Sequence, residues 1–155
     1  MKNSYPIAIL SLAALMFSCQ PGQEDSKVHK AAPEYKDGIY SASYSTPDSR
    51  GWKGFLEVQV RDKVIVSANF DYINPEGKLK SQDQAYADNM KKVSGVTPSD
   101  AARALLDSLV DVQTEEVAVV TGATSTTAIF KALAKVALAK AIAGDPTPSL
   151  IPQSE

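Results

Sequence analysis

The fold of this chain is decided by a stretch in which apolar and polar residues alternate, Leu56-Glu57-Val58-Gln59-Val60-Arg61-Asp62-Lys63-Val64. An apolar residue at every second position predicts a strand with one buried face, because successive side chains of a strand point to opposite sides. Asp62 and Lys63 then predict a tight hairpin turn, although glycine is preferred at the second position. The apolar residues predicted on one face of the next strand are Val64, Val66, Ala68, Phe70 and Tyr72.

The segments on either side of this hairpin complete the predicted fold. A first strand is expected from the segment at residues 37–40 through about Tyr44, so that three short-linked strands form an antiparallel meander. Helices are expected over residues 82–93, from Pro98 after Thr97, and over residues 125–143, with a short buried strand at 117–120. Strands followed by helices predict a single α+β domain, in which an antiparallel sheet packs against helices.

Each of the last two predicted helices has an apolar face for packing on the sheet. The face of the helix that follows Thr97 consists of Ala101, Ala102, Leu105, Leu106 and Leu109. The face of the last helix includes Ile129, Leu133 and Val136.

Charge and composition argue against several functions. The chain has 16 Lys and Arg against 18 Asp and Glu, and no basic stripe, so nucleic-acid binding is not expected. The single histidine, His29, lies in a predicted linker, and no Cys or His cluster predicts a metal site. No nucleophile–base pair is found, so no catalytic residue is predicted. The charged residues Asp83, Asp88, Lys91 and Lys92 are interpreted as a solvated helix face.

The N-terminus predicts secretion and lipid attachment. Lys2 precedes an apolar run at residues 7–17 that is too short to span a bilayer, and residues 16–19 resemble a relaxed lipobox ending at Cys19. The predicted organisation is a signal peptide (1–18), a lipidated Cys19 with a flexible tether (19–36), a folded domain (37–144) and a proline-rich disordered tail (145–155). The alternative is an unmodified cysteine within a cleaved signal peptide.

The start of the last helix is unusually rich in small and hydroxyl-bearing residues, Thr121-Gly122-Ala123-Thr124-Ser125-Thr126-Thr127. Free backbone N–H groups and the helix dipole make such a position suitable for a phosphate group. Gly122 allows a close backbone approach. A plainer interpretation is that Thr124 caps the helix and the other hydroxyls are incidental.

This heptapeptide resembles the flavinylation site of the FMN-binding domain family, Asp-x-x-Ser/Thr-Gly-Ala-Ser/Thr-x-Thr. The matching positions are Thr121, Gly122, Ala123 and Thr124, with Ser125 at the free position. The resemblance implies that Thr126 carries FMN through a phosphoester and that Thr121 and Thr124 bond the phosphate or the flavin. The acidic residue of the family pattern is replaced by Ala118.

The resemblance extends over roughly residues 37–143. It includes the opening Asp37-Gly38-Ile39-Tyr40 and the pair Tyr86 and Met90. The likeness is strongest to the spirochaete major membrane immunogen lipoproteins, through Gly51-Trp52 and Lys80-Ser81-Gln82-Asp83. Trp52, Tyr40 and Tyr86 are expected either to contact the flavin ring or to belong to the core.

The family likeness implies a lipoprotein tethered to a membrane of the cell envelope, facing the periplasm or the exterior. FMN, attached at Thr126 by an FAD-dependent flavin transferase or held without a covalent bond, would make the protein an electron carrier rather than a stand-alone enzyme. The sequence does not identify the redox partner. A quinone-linked membrane reductase is one example of a partner that a tethered domain could reach. The alternative is a flavin-free surface lipoprotein that uses the same fold for binding or structure.

Overall fold

A computed structural model of the chain describes residues 33–153. The predicted signal peptide, the predicted lipidation site Cys19 and most of the predicted tether lie outside the described residues. The end of that tether belongs to the folded domain, because Tyr35 is buried in the core and its hydroxyl donates a hydrogen bond to the carbonyl oxygen of Gln113. The domain therefore begins slightly earlier than the predicted residue 37.

The sheet has four strands: β1 (Gly38–Tyr44), β2 (Lys53–Arg61), β3 (Val64–Ile73) and β4 (Ser149–Ile151). Their spatial order is β3-β2-β1-β4, and the first three form the predicted antiparallel meander. β4 pairs in parallel with β1. The prediction of a disordered tail was thus wrong for Ser149–Ile151, because backbone pairing with a distant strand leaves little signal in a short proline-flanked segment.

A β-bulge changes the predicted inward face of β3. The register runs from Gln59 opposite Ser67 to Val60 opposite Ile65, so Val66 is an extra residue on its strand. As a result Ile65 is buried, whereas Val64 and Val66 are exposed. The prediction of the inward-facing residues is correct only beyond the bulge, where Phe70 and Tyr72 are buried and Ala68 is half-buried.

The helices follow the predictions closely. They are α1 (Gln84–Ser94), α2 (Pro98–Val112) and α3 (Thr124–Ala143), and a short 3-10 helix at Lys80–Gln82 precedes α1. α1 is capped by the Asp83 carboxylate, which accepts from the N–H of Tyr86. α2 begins with a capping box between Thr97 and Asp100, and Pro98 is its first residue as predicted. None of the helices in the described residues is long and apolar enough to cross a membrane.

α2 and α3 cover one face of the sheet, and the core lies between these layers. The apolar face of α2 is the predicted one, whereas the face of α3 is displaced, so that Ile129 and Val136 lie at its margin. The buried residues of α3 are Thr127, Phe130, Leu133, Ala134, Ala137, Leu138 and Ala141.

The valine-rich segment at residues 117–120 is not the predicted strand. It crosses from α2 to α3 without joining the sheet, and only Val117 is fully buried there. Its β-branched composition predicts an extended backbone, but a strand also needs a neighbouring strand to pair with.

Candidate functional site

The start of α3 forms one wall of an open cavity of about 740 Å³. The opposite walls come from the loop at residues 48–50, the end of β3, the 3-10 helix and α1. The residues that line the cavity are Asp48, Ser49, Arg50, Tyr72, Lys80, Tyr86, Met90, Ser94, Gly122, Ala123, Thr124, Ser125, Thr126 and Ile129. Its volume lies within the range of about 300–1,000 Å³ that small-molecule sites occupy.

The structure brings most of the predicted site residues to this cavity. Five of them line it, namely Gly122, Ala123, Thr124, Ser125 and Thr126. Thr121 is exposed and is not part of the lining. Thr127, the last hydroxyl of the motif, is buried: it donates to the carbonyl of Ala123 at 3.0 Å and accepts from the N–H of Val120 at 3.2 Å.

The backbone at the start of α3 offers donors to the cavity. The residue before the helix is Ala123, which supplies no capping side chain, and Thr124 is the first helical residue. The first bond across this helix start joins the N–H of Thr127 to the carbonyl of Ala123 at 2.9 Å. The interpretation of Thr124 as a side-chain cap is therefore wrong, and within residues 33–153 the N–H groups of residues 124–126 have no backbone or capping acceptor.

Gly122 holds the turn before α3 against the end of α1. Its φ is +79°, a left-handed conformation that favours glycine. A Cβ at this position would lie 2.1 Å from the carbonyl oxygen of Ser94. The requirement for glycine here thus comes from packing between two segments of the chain, whereas the sequence suggested only a close approach to a ligand.

Thr126 faces the aromatic side of the cavity. Burial raises the pKa of the Tyr72 phenol above its ordinary value, and the hydrogen-bonding hydroxyl of Thr126 opposes that shift. Tyr72 is therefore a neutral phenol at physiological pH, able to donate a hydrogen bond. The contact links the predicted attachment residue on α3 with the end of β3.

Lys80 is the functional candidate that sequence reasoning missed. Its residue is only 6 % exposed, and its Nζ lies 4.3 Å from the ring centre of Tyr72, 4.4 Å from that of Tyr86 and 5.7 Å from that of Trp52. These distances are those of cation–π contacts. Nothing in the local sequence marks this lysine as buried, because its three aromatic neighbours come from three separate segments of the chain.

Of the three aromatic residues expected either to contact the flavin or to belong to the core, two lie at or beside the cavity and one lies elsewhere. Tyr86 lines the cavity, and Trp52 packs edge-on against it with ring centres 6.1 Å apart. Tyr40 lies elsewhere, since its buried hydroxyl donates to the carbonyl of Lys36 at 2.9 Å and it is absent from the lining. Met90 also lines the cavity.

The lining suits the chemical parts of FMN. Free N–H groups and hydroxyls at the start of α3, together with the cations Arg50 and Lys80, complement a phosphate. Tyr72, Tyr86 and Ile129 offer aromatic and apolar surface to a flat ring. The lining therefore contains both donors for a phosphate and aromatic or apolar surface for a ring.

The charged residues of α1 and its capping residue make surface contacts. Asp83 pairs with Lys78 at 3.0 Å, and Lys91 lies 3.7 Å from Asp100. Asp88 accepts from Gln84 at 2.7 Å. Within residues 33–153 no group of His, Cys, Asp or Glu side chains is arranged to hold a metal ion.

Comparison with known proteins identifies the family. No family model matches the chain. The chain is 40% identical over 110 residues to the 15 kDa lipoprotein of Treponema pallidum, a match that covers 70% of this chain and 78% of the relative. The chain belongs to the family of this lipoprotein.

A solved crystal structure has the same fold as this chain. The crystal structure of the CPE2226 protein from Clostridium perfringens is 31% identical, with a TM-score of 0.76, covering 77% of this chain and 99% of that chain. An NMR structure from Clostridium thermocellum is 25% identical, with a TM-score of 0.47, covering 68% of this chain and 92% of that chain.

Proposed function

We propose that this lipoprotein-family member is anchored in the cell envelope through lipid on Cys19 and carries FMN in the cavity at the start of α3. Thr126 is the attachment residue, and the domain passes electrons between envelope partners. The observation that carries the proposal is the cavity itself. It joins Thr126 and three unsatisfied N–H groups to an aromatic wall that contains a buried lysine. FMN supplies the electron-transfer chemistry when bound.

The residues of the chain have distinct tasks in this proposal. The hydroxyl of Thr126 forms a bond to the phosphorus of the FMN portion of FAD on a flavin transferase. The pyrophosphate P–O bond breaks, AMP leaves with the electron pair, and the hydroxyl proton is released. The N–H groups at the start of α3 and the hydroxyls of Thr124 and Ser125 then bind the phosphate oxygens. Tyr72 and Tyr86 shield one part of the ring from water.

The mass of the full chain, coexpressed with a periplasmic FAD-dependent flavin transferase, tests this proposal. We expect an added mass of one FMN less one water, mapped to the peptide that contains Thr126. Thr126→Ala should abolish the adduct, whereas the matched neighbour Ser125→Ala should keep it. An adduct that persists in Thr126→Ala would rule out attachment at this residue.

The competing function is a flavin-free surface lipoprotein, and a specific observation favours it. Residue 118, where the family pattern has an acidic side chain, is an exposed alanine outside the cavity. An unmodified, colourless wild-type protein from the coexpression host would support this function. Colour without an added covalent mass would indicate FMN held by the cavity alone.

A further inference from the structure

Lys80 is a buried cation without an anionic partner. Among the described residues its Nζ donates no hydrogen bond and pairs with no carboxylate, although the residue is only 6 % exposed. Every side-chain nitrogen or oxygen that is fully shut off from solvent in residues 33–153 does have a partner. The unpaired ammonium of Lys80 therefore opens to the cavity that it lines.

The residues around Lys80 fix the position of its ammonium group. The carboxylate of Asp71 accepts from the N–H of Ser81 at 3.2 Å, which ties the 3-10 helix to β3. The rings of Tyr72 and Tyr86 flank the ammonium at 4.3 and 4.4 Å. Aromatic rings attract a cation through their faces, but they offer no acceptor that matches the three N–H donors of an ammonium. Those donors remain available to a ligand.

The cavity has an excess of positive character around this ammonium. Its lining contains two cations, Arg50 and Lys80, and the N-terminal end of the 20-residue helix α3. The single carboxylate in the lining, Asp48, already accepts from the N–H groups of Arg50 and Trp52, both at 2.9 Å. An anion is the ligand that satisfies such a set of donors.

We propose that Lys80 is the charged residue that binds the phosphate group of the ligand in this cavity. The start of α3 supplies the backbone donors of the site, and Lys80 supplies the charge that distinguishes a phosphorylated ligand from its neutral counterpart. The inference rests on the proposed function for the identity of the ligand as FMN, but the phosphate site stands without it.

Two titrations of the full chain, produced without a flavin transferase, test this role. In the first, inorganic phosphate should shift the NMR signal of the Lys80 ammonium nitrogen, while chloride at equal ionic strength should not. In the second, Lys80→Met should weaken FMN binding by about ten- to a hundredfold. Riboflavin, which lacks the phosphate, should bind wild type and variant alike. Lys92→Met, which removes an exposed charge from α1, is the matched control and should leave both affinities unchanged.

Thermal unfolding in phosphate-free buffer separates a ligand-binding lysine from a structural one. Because Lys80 has no hydrogen bond or ion pair among the described residues that Met would remove, Lys80→Met should unfold at the same temperature as wild type or higher. A lower midpoint, or an equal loss of FMN and riboflavin binding, would mean that Lys80 only supports the aromatic wall and would overturn the inference.

The outcomes also distinguish this inference from the proposed function. A phosphate-induced shift of Lys80 in a protein that binds no flavin would support the phosphate site and reject FMN as its ligand. Equal FMN affinity of wild type and Lys80→Met would reject the role of Lys80 while FMN binding stands. A phosphate response equal to that of chloride would indicate an adventitious ion only and would count against the site.

Discussion

At the scale of single residues, the site depends on a glycine whose role is set by a neighbour 28 positions away in the chain. The left-handed backbone of Gly122 brings the turn before α3 against the last carbonyl of α1. This contact places residues 122–126 beside Ser94 and Met90, which are also part of the cavity lining. The position of Thr126 in the cavity therefore depends on a packing contact as well as on the motif.

Gly122→Ala should be strongly destabilising. The left-handed conformation alone costs a non-glycine residue about 1–2 kcal/mol, and the new Cβ would also lie 2.1 Å from the Ser94 carbonyl oxygen. Gly77→Ala is the matched control, because Gly77 has a similar φ of +82° and open space around its Cβ position. Denaturant unfolding should show a clearly larger loss for Gly122→Ala. Equal losses would mean that the contact with Ser94 yields at little cost.

At the scale of elements, the β2–β3 hairpin is held by a carboxylate from outside it. Both turn residues have positive φ, Asp62 at 53° and Lys63 at 65°. Their N–H groups donate to the Asp37 side chain at 3.0 and 2.8 Å. The carboxylate thus supports a turn that lacks its usual glycine, and it connects the start of β1 to the hairpin.

The Asp37 contact predicts a dependence of stability on acid. Hydrogen bonds from the N–H groups of Lys63 and Asp62 hold the pKa of Asp37 below its ordinary value. A lowered folded-state pKa contributes stability above the unfolded-state value of about 3.9, and the contribution is lost as pH falls through the folded-state pKa. Asp37→Asn should therefore lose less stability than wild type on acidification below about pH 4.

Urea unfolding at several pH values measures this difference. Glu76→Gln, which removes an exposed carboxylate from another turn, should follow the wild-type pH profile. If Asp37→Asn has the same acid dependence as wild type, the two turn contacts contribute no net stability in solution.

At the scale of the whole molecule, the predicted lipid and tether would hold the folded domain close to a membrane. The described residues contain no helix able to span one, and the family includes a lipoprotein of Treponema pallidum. The proposed anchor is lipid attached to Cys19, the single cysteine of the chain. Each acyl chain contributes about 0.8 kcal/mol per buried methylene, so two or more chains give stable attachment.

Cys19→Ala should release the protein from the membrane. The expected result is a change from mostly detergent-phase to mostly aqueous-phase protein in detergent phase partitioning, with loss of the acyl mass. Ser18→Ala keeps the cysteine and should still enter the detergent phase. A membrane-bound Cys19→Ala protein would require a different anchor.

The amino-acid sequence by itself determined the parts of this protein that depend on neighbouring residues. Alternation predicted β2, the Thr97–Pro98 pair predicted the start of α2, and the Asp62–Lys63 pair predicted the hairpin turn. The resemblance to a flavinylation motif predicted a site at residues 121–126, most of which line the cavity. These signals work because turn, cap and strand geometry arise within a few positions of the chain.

Only the tertiary structure decided what depends on distant partners. β4 exists because it pairs with β1. Ile65 is buried because the bulge opposite β2 reverses which side chains of β3 face the core at that end of the strand. Lys80 is buried because β3, α1 and the residue before β2 bring three rings around it. Composition and periodicity give little indication of such contacts, because the free energy of each contact depends on residues that come close only after folding.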